Sequence, residues 1–218
     1  LDACALTPYA DYGSLRMFNL LLVLAGLGAK VTFAAANLQS YEPFSAKLQR
    51  EGIEHLSSPH VSNLSDYLEK NAYTFDVIIL SRKSVTCEYI DIVRQAAPGA
   101  LVVFDTVDLM FLRLERQAEH EQSEALRLAA EESKKVELQL CKAADLVFVV
   151  SPVEAELLAN EIPADKIALV SNIHATYPNS SGFSDRRGVM FVGGFQHPPN
   201  VDAVGYFLDE IMPLVVKR

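Results

Sequence analysis

The sequence predicts an α/β protein built on a Rossmann-like, doubly wound parallel sheet, and three observations carry that prediction. Short apolar runs alternate with helical patterns along the chain. Runs such as Val77-Ile-Ile-Leu80 and Leu146-Val-Phe-Val-Val150 are apolar at every position, as strands covered on both faces must be. The connections are short, so the β-α-β-α order implies parallel strands with right-handed crossovers.

Taken in order, the first strand is expected to begin upstream of Leu1, and a helix follows from Ser14 to Leu27. The nearly apolar stretch Met17 to Leu38 approaches a membrane span in length. Gly28 and Lys30 interrupt it and Val31 to Ala36 is β-prone, so it reads as a buried helix followed by a buried strand. Further strands are expected at Ile53 to Leu56, Asp76 to Ser81, Ala100 to Asp105, Asp145 to Ser151, Ile167 to Val170 and Gly188 to Val192. Helices are expected at Pro43 to Glu51, Leu64 to Lys70, Val85 to Ala97, Phe111 to Ala144, Pro152 to Asn160 and Val201 to Lys217.

The long helix carries six basic and eight acidic residues between Arg113 and Asp145, Glu137 among them. Near balance predicts a solvated face laced with i,i+4 pairs. Its stripe of Leu126, Ala129/Ala130, Val136, Leu140 and Ala143/Ala144 is expected to lie on the sheet. Ser151-Pro-Val-Glu154 is a capping box with proline in the first turn, which explains its spacing without a catalytic serine.

Residues 175–187 mix turn formers and charge without periodicity and read as a linker. Beyond them the pattern restarts as strand, Gly193-Gly194 turn and helix. The chain therefore divides into a Rossmann-like domain over 1–174, the linker, and the opening βα unit of a second Rossmann-like domain over 188–218. A lone βα unit cannot cover its own apolar face and must dock on something.

Composition excludes several classes. Half of the 218 residues are apolar and 22 % are charged, which rules out intrinsic disorder. Nineteen basic residues against twenty-eight acidic ones give a net charge of −9, which argues against a nucleic-acid backbone as main partner. Cys4, Cys87 and Cys141 are far apart and form no CxxC, so neither a disulfide framework nor a zinc site is expected and a cytoplasmic setting is the natural reading. His55, His60, His120, His174 and His197 show no HxxxH or HExxH spacing, so no metal site is expected. No signal peptide is visible, and Leu1 in place of Met reads as a trimmed chain.

In an open parallel sheet, ligands sit beyond the carboxyl ends of the strands. Gly13-Ser14 opens the first helix there, where a glycine lets backbone approach a phosphate and a helix N-terminus favours an anion. The plainer alternative is a turn that needs glycine, with Ser14 as N-cap. Neither GxGxxG nor GxxxxGK[ST] is present, so the dinucleotide and P-loop fingerprints are missing. Asp105 and Asp108 follow a strand and could supply an acid/base carboxylate or bind sugar hydroxyls; alternatively, Asp108 caps the long helix. His197 stands out because it lies between Gly193-Gly194 and the helix near Asn200.

Together these residues resemble the retaining GT-B glycosyltransferases of family 4, in particular the bacterial group that builds surface polysaccharides. The matching pieces are Pro8-Tyr-Ala-Asp-Tyr-Gly-Ser-Leu-Arg16, Phe104-Asp-Thr-Val-Asp-Leu-Met-Phe-Leu-Arg113, Ala144-Asp-Leu-Val-Phe-Val-Val-Ser-Pro-Val-Glu154, Val170-Ser-Asn-Ile173 and Phe191-Val-Gly-Gly-Phe-Gln-His-Pro-Pro-Asn-Val-Asp202. The resemblance implies two Rossmann-like domains facing a cleft, the first binding acceptor and the second binding a nucleotide-sugar, with no metal and no cofactor. It implies that Gly13, Ser14, Gly193 and Gly194 approach the donor diphosphate and that Asp105 and Asp108 lie beside the transferred sugar.

Three features depart from the family, one being that the first strand is expected to begin before Leu1, which leaves its amino end unread. The basic residue often found after the second glycine turn is replaced by Gly194-Phe-Gln-His-Pro-Pro-Asn200, leaving His197 and Asn200 as substitutes. The Glu-x7-Glu motif lies outside this chain, so the chain alone is expected to be nearly inactive. The implied reaction moves a sugar to a glycan or lipid-linked acceptor with retention of configuration. Its implied setting is the cytoplasm, with peripheral association at the inner membrane face and a homo-oligomer both compatible. Competing readings are a GT-B sugar-nucleotide 2-epimerase and a non-catalytic Rossmann-like binding or scaffold module; a dehydrogenase fits least.

Overall fold

The computed structural model describes residues 1–174, 178, 182–195 and 198–216. Helix α1 (Tyr12–Gly26) leads to β1 (Thr32–Ala34), α2 (Phe44–Arg50) and β2 (Glu54–Leu56). Then come α3 (Leu64–Asn71), β3 (Val77–Ser81), α4 (Lys83–Ala96), β4 (Leu101–Asp105), α5 (Met110–Glu121) and α6 (Glu124–Ala143). The sheet ends with β5 (Leu146–Val149), α7 (Pro152–Ala159) and β6 (Ile167–Leu169). All strand pairs are parallel: β1 with β2, and β3-β4-β5-β6 in that order.

The N-terminal residues join these two sheets into one layer. Leu1 donates to the Ile79 carbonyl and accepts from the Ser81 amide, at 2.7 and 2.9 Å. On its other side, Asp2 donates to the Ala34 carbonyl and accepts from the Ala36 amide, at 3.1 and 2.8 Å. The spatial order is therefore β2, β1, the Leu1–Asp2 segment, β3, β4, β5, β6. It runs backward along the chain on one side of Leu1 and forward on the other.

Strand side chains alternate between faces, and β1 shows that both faces are covered. Phe33 and Ala35 belong to the cluster formed with Met17, Phe18 and Leu21 of α1 and Leu48 of α2. Ala34, between them, belongs to the cluster holding Leu64 and Leu68 of α3 together with Val85, Val93, Leu80, Val102 and Phe104. Each fully buried Leu, Val or Phe contributes about 1.5–3 kcal/mol of transfer free energy. The apolar run from Met17 to Leu38 is thus α1 followed by β1, and among the described residues no helix is long and apolar enough to cross a membrane.

Three expectations change. The helix foreseen from Phe111 to Ala144 is two helices, because Gln122 adopts a left-handed backbone (φ 49°) and the Ser123 hydroxyl accepts from the Leu126 amide to cap a new start. The buried face of α6 is not wholly the foreseen stripe: Ala130, Ser133, Glu137, Leu140 and Cys141 are covered, whereas Ala129 and Ala143 are exposed. The strand foreseen at Gly188 to Val192 is not formed; among the described residues no strand lies alongside it to complete a ladder, and Val189, Met190, Phe191 and Val192 are exposed. The helix after it is present as α8 (Pro198–Tyr206), a π-turn (Phe207–Ile211) and α9 (Met212–Val216).

Candidate functional site

Where strand order reverses, the loops leaving adjacent strands diverge and open a crevice at the carboxyl ends. Here the reversal lies between the Leu1–Asp2 segment and β3, so the loop before α1 and the residue after β3 face each other. Asp11 is the N-cap of α1, taking the role foreseen for Ser14: its Oδ1 accepts from the Ser14 amide at 2.8 Å and its Oδ2 from the Thr7 hydroxyl at 3.2 Å. Ser14 is buried, and its amide is committed to that cap. Burial works to raise the Asp11 pKa, but the Ser14 and Thr7 hydrogen bonds and the nearby Arg82 charge outweigh it and hold the carboxyl below its usual value.

Arg82 follows β3 with a left-handed backbone (φ 76°), a conformation seldom adopted by a residue with a side chain. Its amide donates to the Asp105 carbonyl at 2.8 Å, and its Nε donates to Asp2 Oδ1 at 2.7 Å. A Cβ added to Gly13 would stand 2.5 Å from Arg82 Nη2. A side chain at position 13 would therefore displace the Arg82 guanidinium from its present place. Burial disfavours the Arg82 charge, yet Asp2, Asp11 and Asp108 more than compensate and raise its pKa.

Asp105, at the end of β4, is fully buried. Its two oxygens accept from Arg16 Nη1 and Nη2 at 2.8 Å each, and Oδ2 also accepts from the Ser81 hydroxyl at 2.9 Å. Arg16 is 2 % exposed and also donates to the Val170 carbonyl at 3.0 Å. This fork-to-fork pair ties α1 to three strand ends. Asp105 consequently cannot reach a bound molecule; its carboxylate is taken up by Arg16 and Ser81. Asp108 is different: its side chain is 47 % exposed and its Oδ2 lies 3.4 Å from Arg113 Nη1. It opens onto a groove of about 1080 Å³ lined also by Arg116, Gln117, His120, Ser151 and Asp202.

Asp108 does not cap the following helix. The first amides of α5, Met110 and Phe111, donate to Glu137 of α6, each at 2.9 Å. Gly194 comes within 4.0 Å of the Ala10 carbonyl, measured from an added Cβ, so the Gly193-Gly194 turn reaches the loop that leads into α1. Asn200 donates its side-chain amide to the Gly194 carbonyl at 2.9 Å and closes that turn. His197 lies outside the described residues. The structure thus brings together Gly13, Ser14, Asp105, Asp108, Gly193, Gly194 and Asn200 around one end of the sheet.

No protein-family model matches the chain, and no curated protein matches it.

Arg16, Arg82, Glu137 and Glu154 join the site without having been singled out from sequence. Arg16 had a signal, since it is the one charged residue at the head of an apolar helix. Arg82 stood at a strand end with no such contrast. Glu137 was hidden among the charges of its helix, and Glu154 was fully explained by its cap.

Proposed function

We propose that the protein is a retaining glycosyltransferase of the two-domain GT-B kind, moving a sugar from a nucleotide-sugar to a glycan or lipid-linked acceptor without a metal. The observation that carries the reading is the close approach of Gly13 and Arg82 where strand order reverses, with Asp108, near enough to act on the Arg82 charge, opening onto a groove large enough for a sugar and its acceptor. Departure of the nucleoside diphosphate builds negative charge on its phosphates. The Arg82 guanidinium and the α1 N-terminus meet that charge, and preorganised donors of this kind are worth about 10²–10³ in rate. Gly193, Gly194 and Asn200 form the facing corner. Asp108 meets the positive charge that develops on the sugar, and Asp105 positions Arg16 and the strand ends. Tyr9 in the loop before α1 and Tyr12 at the start of α1 are exposed next to Gly13 in sequence and offer rings for stacking.

The test is nucleoside diphosphate release by the full-length protein from a panel of sugar nucleotides. Gly13→Val and Asp108→Asn lower it by about tenfold or more, and unchanged rates in both would remove these roles. One observation favours a second reading, a non-catalytic binding or scaffold module. Asp2, Asp11 and Asp108 surround Arg82 and weaken its pull on a diphosphate. Absence of turnover together with absence of binding to any nucleotide supports that module.

A further inference from the structure

We propose that Glu137 and Glu154 are positioning residues whose buried carboxylates fix the loop that presents Asp108 to the groove; as a statement about the reaction this rests on the glycosyltransferase reading, whereas the positioning itself does not. Three successive amides after Asp108 end on these two side chains. The Leu109 amide donates to Glu154 Oε1 at 3.4 Å, the Met110 amide to Glu137 Oε1 at 2.9 Å, and the Phe111 amide to Glu137 Oε2 at 2.9 Å. Before Asp108, the Thr106 amide and hydroxyl both donate to the Phe148 carbonyl, at 3.1 and 2.9 Å. Val107 has a left-handed backbone with φ 63°, which is strained for a β-branched residue and persists only where its surroundings hold it. The loop is anchored on both sides of Asp108, while the Asp108 carboxylate itself faces the groove.

The anchors are built for more than capping. Glu137 is 1 % exposed, and burying a carboxylate is costly unless it is paired and hydrogen-bonded. Its compensation comes from elsewhere in the fold. Ser133 donates to Glu137 Oε2 at 3.2 Å and accepts from Lys83 Nζ at 2.9 Å. Lys83 is the first residue of α4 and follows Arg82, so the chain Lys83, Ser133, Glu137 links the corner that faces Gly13 to the loop that carries Asp108. Glu154 completes its own capping box by accepting from the Val150 and Ser151 amides at 3.0 and 3.2 Å, and it reaches Leu109 with its other oxygen.

The experiment is amide hydrogen exchange on the full-length protein, followed in the peptide spanning 106–112. E137Q replaces one acceptor by an amide donor and speeds exchange there by roughly tenfold, the effect of losing one hydrogen bond of ordinary net strength. Peptides of β3 and β4 are unchanged, as is the whole protein in the control E131Q on the exposed side of α6. Ser133→Ala gives a smaller acceleration in the same peptide and decides the matter if E137Q does not fold. Exchange as slow as wild type, or acceleration spread evenly over the protein, overturns the positioning role. With a turned-over sugar nucleotide, E137Q lowers kcat by about 10–100-fold, the effect of a small misplacement, and leaves KM unchanged. An unchanged kcat beside fast exchange overturns the link to Asp108. Absence of turnover in wild type overturns the glycosyltransferase reading alone, because the exchange result stands without it.

Discussion

Arg16 and Asp105 are each almost sealed from water and each is the other's main partner, so substituting one leaves the other's charge buried and alone. Arg16→Met is expected to cost about 3–5 kcal/mol, read from urea unfolding midpoints. Pairing it with Asp105→Leu recovers much of that loss, because a buried ion pair is often replaceable by apolar groups. Gly13→Ala must push the Arg82 guanidinium away from Asp2. It is expected to weaken nucleotide binding more than it changes stability, as checked by calorimetry beside thermal unfolding. Asp145 supplies a pH test: the Arg94 hydrogen bond is the first cause of its lowered pKa, assisted by the Val102 amide. A carboxyl whose folded value is depressed contributes stability above its unfolded value, and that contribution is lost as pH falls. The stability gap between wild type and Asp145→Asn is expected to be flat at neutral pH and to narrow below 3.8, the ordinary value of the group. Asp105 and Asp108 were legible in the sequence as a pair after a strand. Their opposite fates were not, since one lies at the last strand position and the other three residues on.

At the scale of elements, apolar continuity located β3, β4 and β5, and periodicity located most helices. The division of α5 from α6 was missed because the apolar recurrence runs through it. The local signal was Ser123, and Ser123→Ala is expected to cost about 1 kcal/mol through loss of that cap, measured by chemical denaturation. Glu137 was misplaced for the same reason: counting charges along a helix treats its faces as equal, whereas packing of α6 on α5 and α4 buries one of them. The run from Gly188 to Val192 has strand composition, but a strand exists only with a ladder partner, which composition cannot supply. Its side chains are exposed, as are Val201 and Tyr206 of α8 and Leu214, Val215 and Val216 of α9.

For the whole molecule, the parallel α/β class followed from alternation alone and a first strand reaching Leu1 is expected, but only the hydrogen bonds of Leu1 and Asp2 place it between β1 and β3 and so reverse the strand order. That reversal sets Gly13 opposite Arg82, whose charge Asp108 supports. The central claim is that this corner holds the diphosphate of a nucleotide. Calorimetric titration of the full-length protein with UDP, GDP and ADP tests it most directly. The account predicts binding of at least one of them, weakened by about tenfold or more in Arg82→Ala as a charge-assisted contact is lost. Equal affinity in wild type and Arg82→Ala, or no binding of any of the three, would contradict it.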